Sequence, residues 1–230
     1  MPFGPCIAVT MDVPPYRLSG TVYGALLNHR TALEALGAAV SAPPYHSPPR
    51  APVLYVKPRN TLASDGAVIR VPRGVSELEV GASLGLVIGR PACRLSPDRA
   101  LEHLAGYLIV NDVSIPHLPY YRPSIPAKAR DGFCPVSGRV APRASIADPD
   151  RLTVRVYVDG EVRQTSSTSD LLRPVAKLLA DVTDFMTLLP GDILAVGVAA
   201  PAPRVRAGQQ VRIEIDGVGR LENPVAGDPA

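Results

Sequence analysis

The chain has 230 residues, 26 of them Pro and 19 Gly, with 46% hydrophobic and 20% charged residues, no Trp and a formal charge of +3. Pro this dense excludes a helical bundle or coiled coil, no three-residue Gly period supports a collagen-like chain, and the apolar fraction is too high for a disordered one. The weak charge, with no basic run, excludes a nucleic-acid or anionic-membrane surface, and what remains is one compact α+β domain, strand-dominated, of short elements and many turns.

Residues 1–19 lack a basic n-region and an apolar run. They read as an N-terminal arm rather than a signal peptide, with Met11 a second candidate initiator and a cytoplasmic setting expected. No run reaches the roughly 18 apolar residues of a membrane span. Cys6, Cys93 and Cys134 have no metal spacing and are odd in number, so free thiols in a reducing compartment are expected. Residues 20–27 read as a strand. Residues 30–39 carry Leu33 and Leu36 at helical spacing, and the Pro-rich 41–51 is irregular. Short strands follow at 52–57, 67–72 and 84–88. Ser96-Pro97-Asp98 starts a helix that is expected to stop at Gly106, ahead of a buried strand at 107–111. Residues 115–138 form a long loop rich in Pro and Tyr, of a length that is usually functional. Residues 152–158 and 161–165 make a hairpin around Asp159-Gly160. Residues 174–189 are the best helix, with Val175, Leu178, Leu179, Val182, Phe185 and Met186 as its apolar stripe. Pro190-Gly191-Asp192 turns the chain into strands at 193–198 and 210–215, the second followed by an Asp216-Gly217 turn. The domain is expected over 20–226, with 227–230 as a tail.

Four clusters carry chemical potential. Asn111-Asp112 ends an apolar strand and places a carboxylate that either ligates a hard divalent cation or makes an Asx turn. Arg122, Lys128, Arg130 and Asp131 sit in the long loop, which either binds carboxylates or is solvated. Gln164 to Asp170 either hydrogen-bonds a substrate or forms a polar turn and helix cap. His29, alone after a strand, reads as a packed or surface residue. No P-loop, G-x-G-x-x-G, H-E-x-x-H or G-x-S-x-G is present.

Asn111-Asp112-Val113-Ser114 followed by Lys128-x-x-Asp131-Gly132-Phe133-Cys134-Pro135 resembles the fumarylacetoacetate hydrolase family. Lys57-Pro58, Val87-Ile88-Gly89, Ala105-Gly106-Tyr107, Arg163-Gln164, Leu189-Pro190-Gly191-Asp192 and the segment 217–223 match in family order, over about residues 20–226. The resemblance implies a mixed β-sandwich roll with peripheral helices. It also implies Mg²⁺- or Mn²⁺-assisted chemistry on 2-oxo or 2-hydroxy acids, in which the metal stabilises an enolate. Segments 26–30, 57–61, 81–83, 121–123, 127–135 and 221–225 are similar to the isomerase/decarboxylase branch of the family that works in 4-hydroxyphenylacetate breakdown. Its members exist as fused or separate halves, and one half has the length of this chain.

That narrower likeness implies an isomerase or decarboxylase acting on 5-carboxymethyl-2-hydroxymuconate or 2-oxo-hex-3-ene-dioate-type acids. The alternatives are a non-catalytic half that stabilises a paralogous subunit, or another keto-acid hydrolase. By resemblance, Lys128 and Asp131 are catalytic, with Asp131 orienting Lys128. Arg122, Gln164 and Lys128 hold a di- or tricarboxylate, and Asp112 is a metal ligand. The partners implied are the substrate and a second subunit, identical or paralogous, without nucleic acid or membrane. The sequence departs from the pattern on the metal side. The family's two Glu ligands fall on Gly81 and Ser83, and Glu77 and Glu79 lie upstream, usable only through a two-residue slip. The family's His/Glu dyad falls on Ala32 and Ala35, and its Thr-Gly-Thr-Pro loop becomes Val196-Gly197-Val198-Ala199. Mg²⁺ or Mn²⁺ is therefore expected to be weakly supported.

Overall fold

The computed structural model describes residues 7–8, 21–117 and 124–229. Its larger sheet has seven strands in the order Ile7–Ala8, Arg139–Pro142, Leu104–Asn111, Ala82–Ile88, Ile193–Ala195, Val22–Leu26 and Val53–Lys57. The sheet is mixed: Ile193–Ala195 runs parallel to Val22–Leu26 and antiparallel to Ala82–Ile88. Every residue of Ala82–Ile88 is buried, and so is nearly all of Leu104–Asn111. Such strands are covered on both faces and read as unbroken apolar runs rather than alternating ones.

The second sheet has five strands, in the order Glu161–Ser167, Thr153–Val158, Gln210–Ile215, Gly219–Gly227 and Ile69–Val71. Thr153–Val158 alternates half-buried and buried positions, so one face rests on the core. Its hairpin turns at Asp159 and Gly160, both with positive φ (52° and 83°), the geometry that matches the right-handed twist of the flanking strands. The main helix, Val175–Phe185, packs Val175, Leu178, Leu179 and Val182 into the core. Each such side chain stabilises the fold by roughly 1.5–3 kcal/mol through burial. Among the described residues no helix is long and apolar enough to cross a membrane.

Several elements differ from expectation, each for a local physical reason. The helix begun at Pro97 ends at Ala100, continues as one 3₁₀ turn over Leu101–His103, and gives way to a strand. Gly106 lies inside that strand and is not a helix stop. A Cβ there would sit 2.0 Å from the Ala141 carbonyl oxygen, so Gly106 admits the neighbouring strand. Ser96 makes no capping bond and bonds the Asp98 carboxylate instead. Phe185 is 64% exposed and does not belong to the buried stripe. The helix after the first long strand shortens to Arg30–Glu34 followed by a 3₁₀ turn at Gly37–Ser41. The segments flanking the expected domain are tied to it. Ile7–Ala8 of the arm pairs with Arg139 and Val140, and the Asp228 N–H in the tail bonds the Val71 carbonyl. Cys93 and Cys134 are free thiols, while Cys6 lies outside the described residues.

Candidate active site

Asp112 follows directly on the strand Leu104–Asn111 and is 4% exposed. An unpaired carboxylate so deep would protonate or destabilise the fold, so it must find positive charge. Two lysines supply it. Lys57, at the end of the strand Val53–Lys57, places Nζ 2.8 Å from Asp112 Oδ1. Lys128, at the end of the helical turn Ile125–Lys128, donates to Oδ2 at 2.6 Å. Burial alone pushes the Asp112 carboxyl up, but the Lys128 and Lys57 ammoniums outweigh it and hold the group well below the usual carboxylate range.

The two lysines differ in what else they touch. Lys57 is fully buried and donates to three backbone carbonyls, Val113 (2.6 Å), Lys128 (2.7 Å) and Phe133 (2.9 Å). It has three N–H donors and all are spent, so it is a clamp on the segment that carries Lys128. Its pKa is lowered, first by burial, an effect that Asp112 opposes and Lys128 reinforces. Lys128 instead lines a cleft of about 390 Å³, with Asp112, Tyr55, Glu79, Ser114 and Arg204 among the other walls.

Tyr55 completes the cluster. Lys128 Nζ stands 4.6 Å from the centre of its ring, a cation–π distance. Burial, and then the Asp112 charge and hydrogen bond, raise the phenol well above its usual value, so it stays a neutral donor. The ring fits because residue 24 is Gly: a Cβ there would lie 2.1 Å from Tyr55 Cζ. Nearby, Leu27 adopts φ +56° at the cleft wall, and Asn28 beneath it is pinned to Val196 and Arg173 by its side-chain amide. Non-Gly residues in that region are strained, and such strain gathers at functional sites. Cys134 also lies by this cluster, but burial pushes its thiol up to about 12, and it is no nucleophile.

The residues expected from sequence separate into groups. Asp112 and Lys128 meet in the cleft. Asp131 does not orient Lys128: it is exposed, and its Oδ1 accepts from Asn60 at 2.7 Å. Gln164 does not reach the cleft directly. Its amide donates to the carbonyls of Ala199 (3.3 Å) and Pro201 (2.7 Å), and so shapes the loop that lines the cleft. Arg122 lies outside the described residues. Arg130 points outward and bonds the Pro126 carbonyl. His29 is buried and its Nδ1 caps Thr31, as a packed residue would. Of the 164–170 cluster, Ser167 accepts the Ser169 N–H and Thr168 accepts the Leu152 N–H. Ala32 and Ala35 line the cleft as apolar wall. Tyr55 and Arg204 were not singled out from sequence, and Lys57 was noted only within the matching Lys57-Pro58 segment, with no role assigned. A lysine closing an apolar strand demands a buried partner, and that was the available signal for Lys57.

The residues present do not fit the family's divalent metal. A Cβ at Gly81 would sit 2.5 Å from the Asp112 carbonyl oxygen, so no side chain can stand there without a shift. The Ser83 hydroxyl is buried and accepts the Gly197 N–H at 3.2 Å. Glu77 and Glu79 do not replace the missing pair by a slip. Glu79 belongs to a separate strand pairing, Leu78–Glu79 with Arg204–Val205, Glu77 precedes it, and both are held by Arg204. Among the described residues no three His, Cys, Asp or Glu side chains converge. Both Asp112 oxygens already face ammonium groups, which supply the charge a cation would bring.

Comparison with known proteins agrees with this architecture. The sequence pattern of the fumarylacetoacetate (FAA) hydrolase C-terminal family matches residues 21–226. The 4-hydroxyphenylacetate degradation bifunctional isomerase/decarboxylase of Salmonella dublin is 41% identical over 211 residues, 92% of this chain and 48% of that protein. The chain thus spans about half the length of the curated relatives it matches. The structure of 5-carboxymethyl-2-hydroxymuconate delta-isomerase from Mycobacterium smegmatis superposes with a TM-score of 0.76 at 29% identity, over 93% of this chain and 81% of that one. Maleylpyruvate hydrolase from Sphingobium sp. SYK-6, solved with manganese and pyruvate, superposes at 0.75 and 23% identity over 92% of this chain and 72% of that one, and shares the fold.

Proposed function

The chain belongs to the fumarylacetoacetate hydrolase family, and on that premise we propose that it isomerises an unsaturated 2-hydroxy di- or tricarboxylic acid of the 5-carboxymethyl-2-hydroxymuconate class without a metal ion. The observation that carries this reading is the Lys128–Asp112 pair at the cleft wall, in a site that lacks the family's donor set. The name of a structural relative, 5-carboxymethyl-2-hydroxymuconate delta-isomerase, supports this choice of substrate class.

The chemistry asked of the site is modest. An enol loses its hydroxyl proton, the double bonds shift, and a distant carbon gains a proton. Lys128 can deliver that proton from Nζ and recover one from the enol hydroxyl, so nothing is consumed. Its charge lies beside the oxygen on which negative charge develops, in a half-buried site where that charge is poorly screened. Asp112 and Lys57 hold Lys128 in place, and the Tyr55 ring faces its ammonium. Loss of CO₂ would ask for a stronger electron sink than one ammonium, so isomerisation is favoured over decarboxylation.

The test is direct. Protein dialysed against a chelator is assayed on 5-carboxymethyl-2-hydroxymuconate by its ultraviolet absorbance. The expected result is metal-independent turnover that falls about 10²–10⁴-fold in Lys128→Gln, the usual contribution of a positioned acid–base group. No turnover by the intact protein, or full turnover by the variant, overturns the proposal.

A second reading rests on a separate observation. The chain spans about half the length of its curated relatives, and the resemblance puts the family's dyad at Ala32 and Ala35, which line the cleft as apolar wall. On that reading it is a subunit that stabilises a paralogue, in which case it would be inactive alone and would restore activity to that paralogue on mixing.

A further inference from the structure

The cleft has a second cationic wall on the far side of Glu79 from Asp112. Arg204 opens the short strand Arg204–Val205, which pairs with Leu78–Glu79 in the register Arg204↔Glu79. On its other side Glu79 exchanges two backbone bonds with Ser114, at 2.8 and 3.2 Å. Ser114 is two residues beyond Asp112. Arg204, Glu79 and Ser114 therefore form three adjacent rungs, and all three line the cleft. At one strand spacing per rung, Arg204 and Ser114 stand on the order of 10 Å apart along the wall.

Arg204 is also held in place. Its Nη1 lies 2.6 Å from Glu77 Oε1 and its Nη2 3.2 Å from Glu79 Oε1, while Glu77 is shared with Arg206 at 3.4 Å. These contacts engage two of the five guanidinium N–H groups, and the side chain remains about half exposed (48%). A guanidinium fixed from behind by carboxylates and open in front is preorganised for a planar anion.

The geometry points to Arg204 as a specificity-determining residue that binds the distal carboxylate of a diacid whose 2-oxo or 2-hydroxy acid end lies against Lys128. This rests on the reading of Lys128 as the anion-holding group of the cleft. Its consequence is selectivity: a ligand with a carboxylate at each end reaches both cations, and the same chain with a methyl terminus reaches one. Glu77 and Glu79 act as positioning residues, since they set the guanidinium and touch no substrate.

The matched probes are 2-oxoadipate and 2-oxohexanoate, which differ in the distal carboxylate, titrated by calorimetry at one pH and ionic strength. The intact protein is expected to bind 2-oxoadipate at least tenfold more tightly. Arg204→Gln is expected to erase that preference and leave 2-oxohexanoate unchanged. Arg204→Lys, which keeps the charge but loses the fork, is expected to fall between them. Lys128→Gln is expected to weaken both ligands. A preference retained in Arg204→Gln, with circular dichroism showing a folded protein, overturns the assignment of Arg204 alone. Binding of both ligands unaffected by Lys128→Gln, or no binding by the intact protein, overturns the reading of the cleft beneath it.

Discussion

Lys57→Met tests the clamp. The substitution keeps most of the apolar stem and removes the ammonium. From the structure, the loss is one ion contact to Asp112 and three carbonyl bonds, all in a fully buried position. Removing one partner of a buried pair costs about 3–5 kcal/mol, because the other charge stays behind. Asp112 keeps Lys128 at 2.6 Å, which moves the estimate down. Three carbonyls left without a donor move it up, at about 1–3 kcal/mol each if they stay dry. The buried ammonium's own desolvation cost is relieved, and the net expectation stays at about 3–5 kcal/mol. That is a large part of the roughly 5–15 kcal/mol that holds a domain folded. In urea, with a slope of about 3 kcal/mol/M, the midpoint should drop by roughly 1–2 M. A Lys57→Met protein whose midpoint lies within about 0.3 M of the parent, at an unchanged slope, would refute the clamp.

Asp112 should shape the acid limb of the stability curve. Its carboxyl is held low in the folded protein, so the folded state binds fewer protons than the unfolded one around the usual carboxylate pKa. The stabilisation is complete above about pH 4–5 and is lost as pH falls through the unfolded value toward the folded one. Asp112→Asn should be less stable at neutral pH and show a flatter acid limb in urea melts run from pH 7 to 3; an unchanged limb counts against the pairing. Gly24→Ala should force the Tyr55 ring away from Lys128, costing about 1–3 kcal/mol by overpacking and lowering kcat; full activity with unchanged melting would show that the ring position is immaterial. Gln164→Ala should leave the fold intact but raise KM, since it frees the Ala199 and Pro201 carbonyls of the cleft loop; an unchanged KM removes that role. Mn²⁺ added to the protein should keep its free-ion paramagnetic resonance signal, and a loss of signal that Asp112→Asn restores would reinstate a metal site at Asp112.

Most strands were legible because their signals are local. Thr153–Val158 alternates, Asp159-Gly160 demands positive φ, and Val175, Leu178, Leu179 and Val182 repeat at helical spacing. The helix–strand boundary at 101–106 was misread because a Gly admitted by a neighbouring strand looks the same as a Gly that ends a helix. Asp112 and Lys128 were legible as chemistry because each sits in a segment that matches the family resemblance, 111–114 and 128–135. Two of the chain's three lysines, in a protein that uses Arg almost everywhere else, are the ones that meet at Asp112. That bias was a signal for Lys57, whose ammonium also makes three carbonyl bonds that only a compact donor on a flexible stem could make there.

By itself, then, the sequence determined a strand-dominated domain of this family, and it pointed to Asp112 and Lys128 while placing Gly81 and Ser83 where the resemblance implies metal ligands. Only the tertiary structure decided the partners. It brought residues 57, 112 and 128 to one point, turned Asp131 outward to Asn60, and set Arg204 two rungs from Ser114. Periodicity and turn chemistry act over a few residues and are written locally. Charge pairing in a buried site acts across segments that the chain separates by dozens of residues, and only the folded backbone says which of them meet.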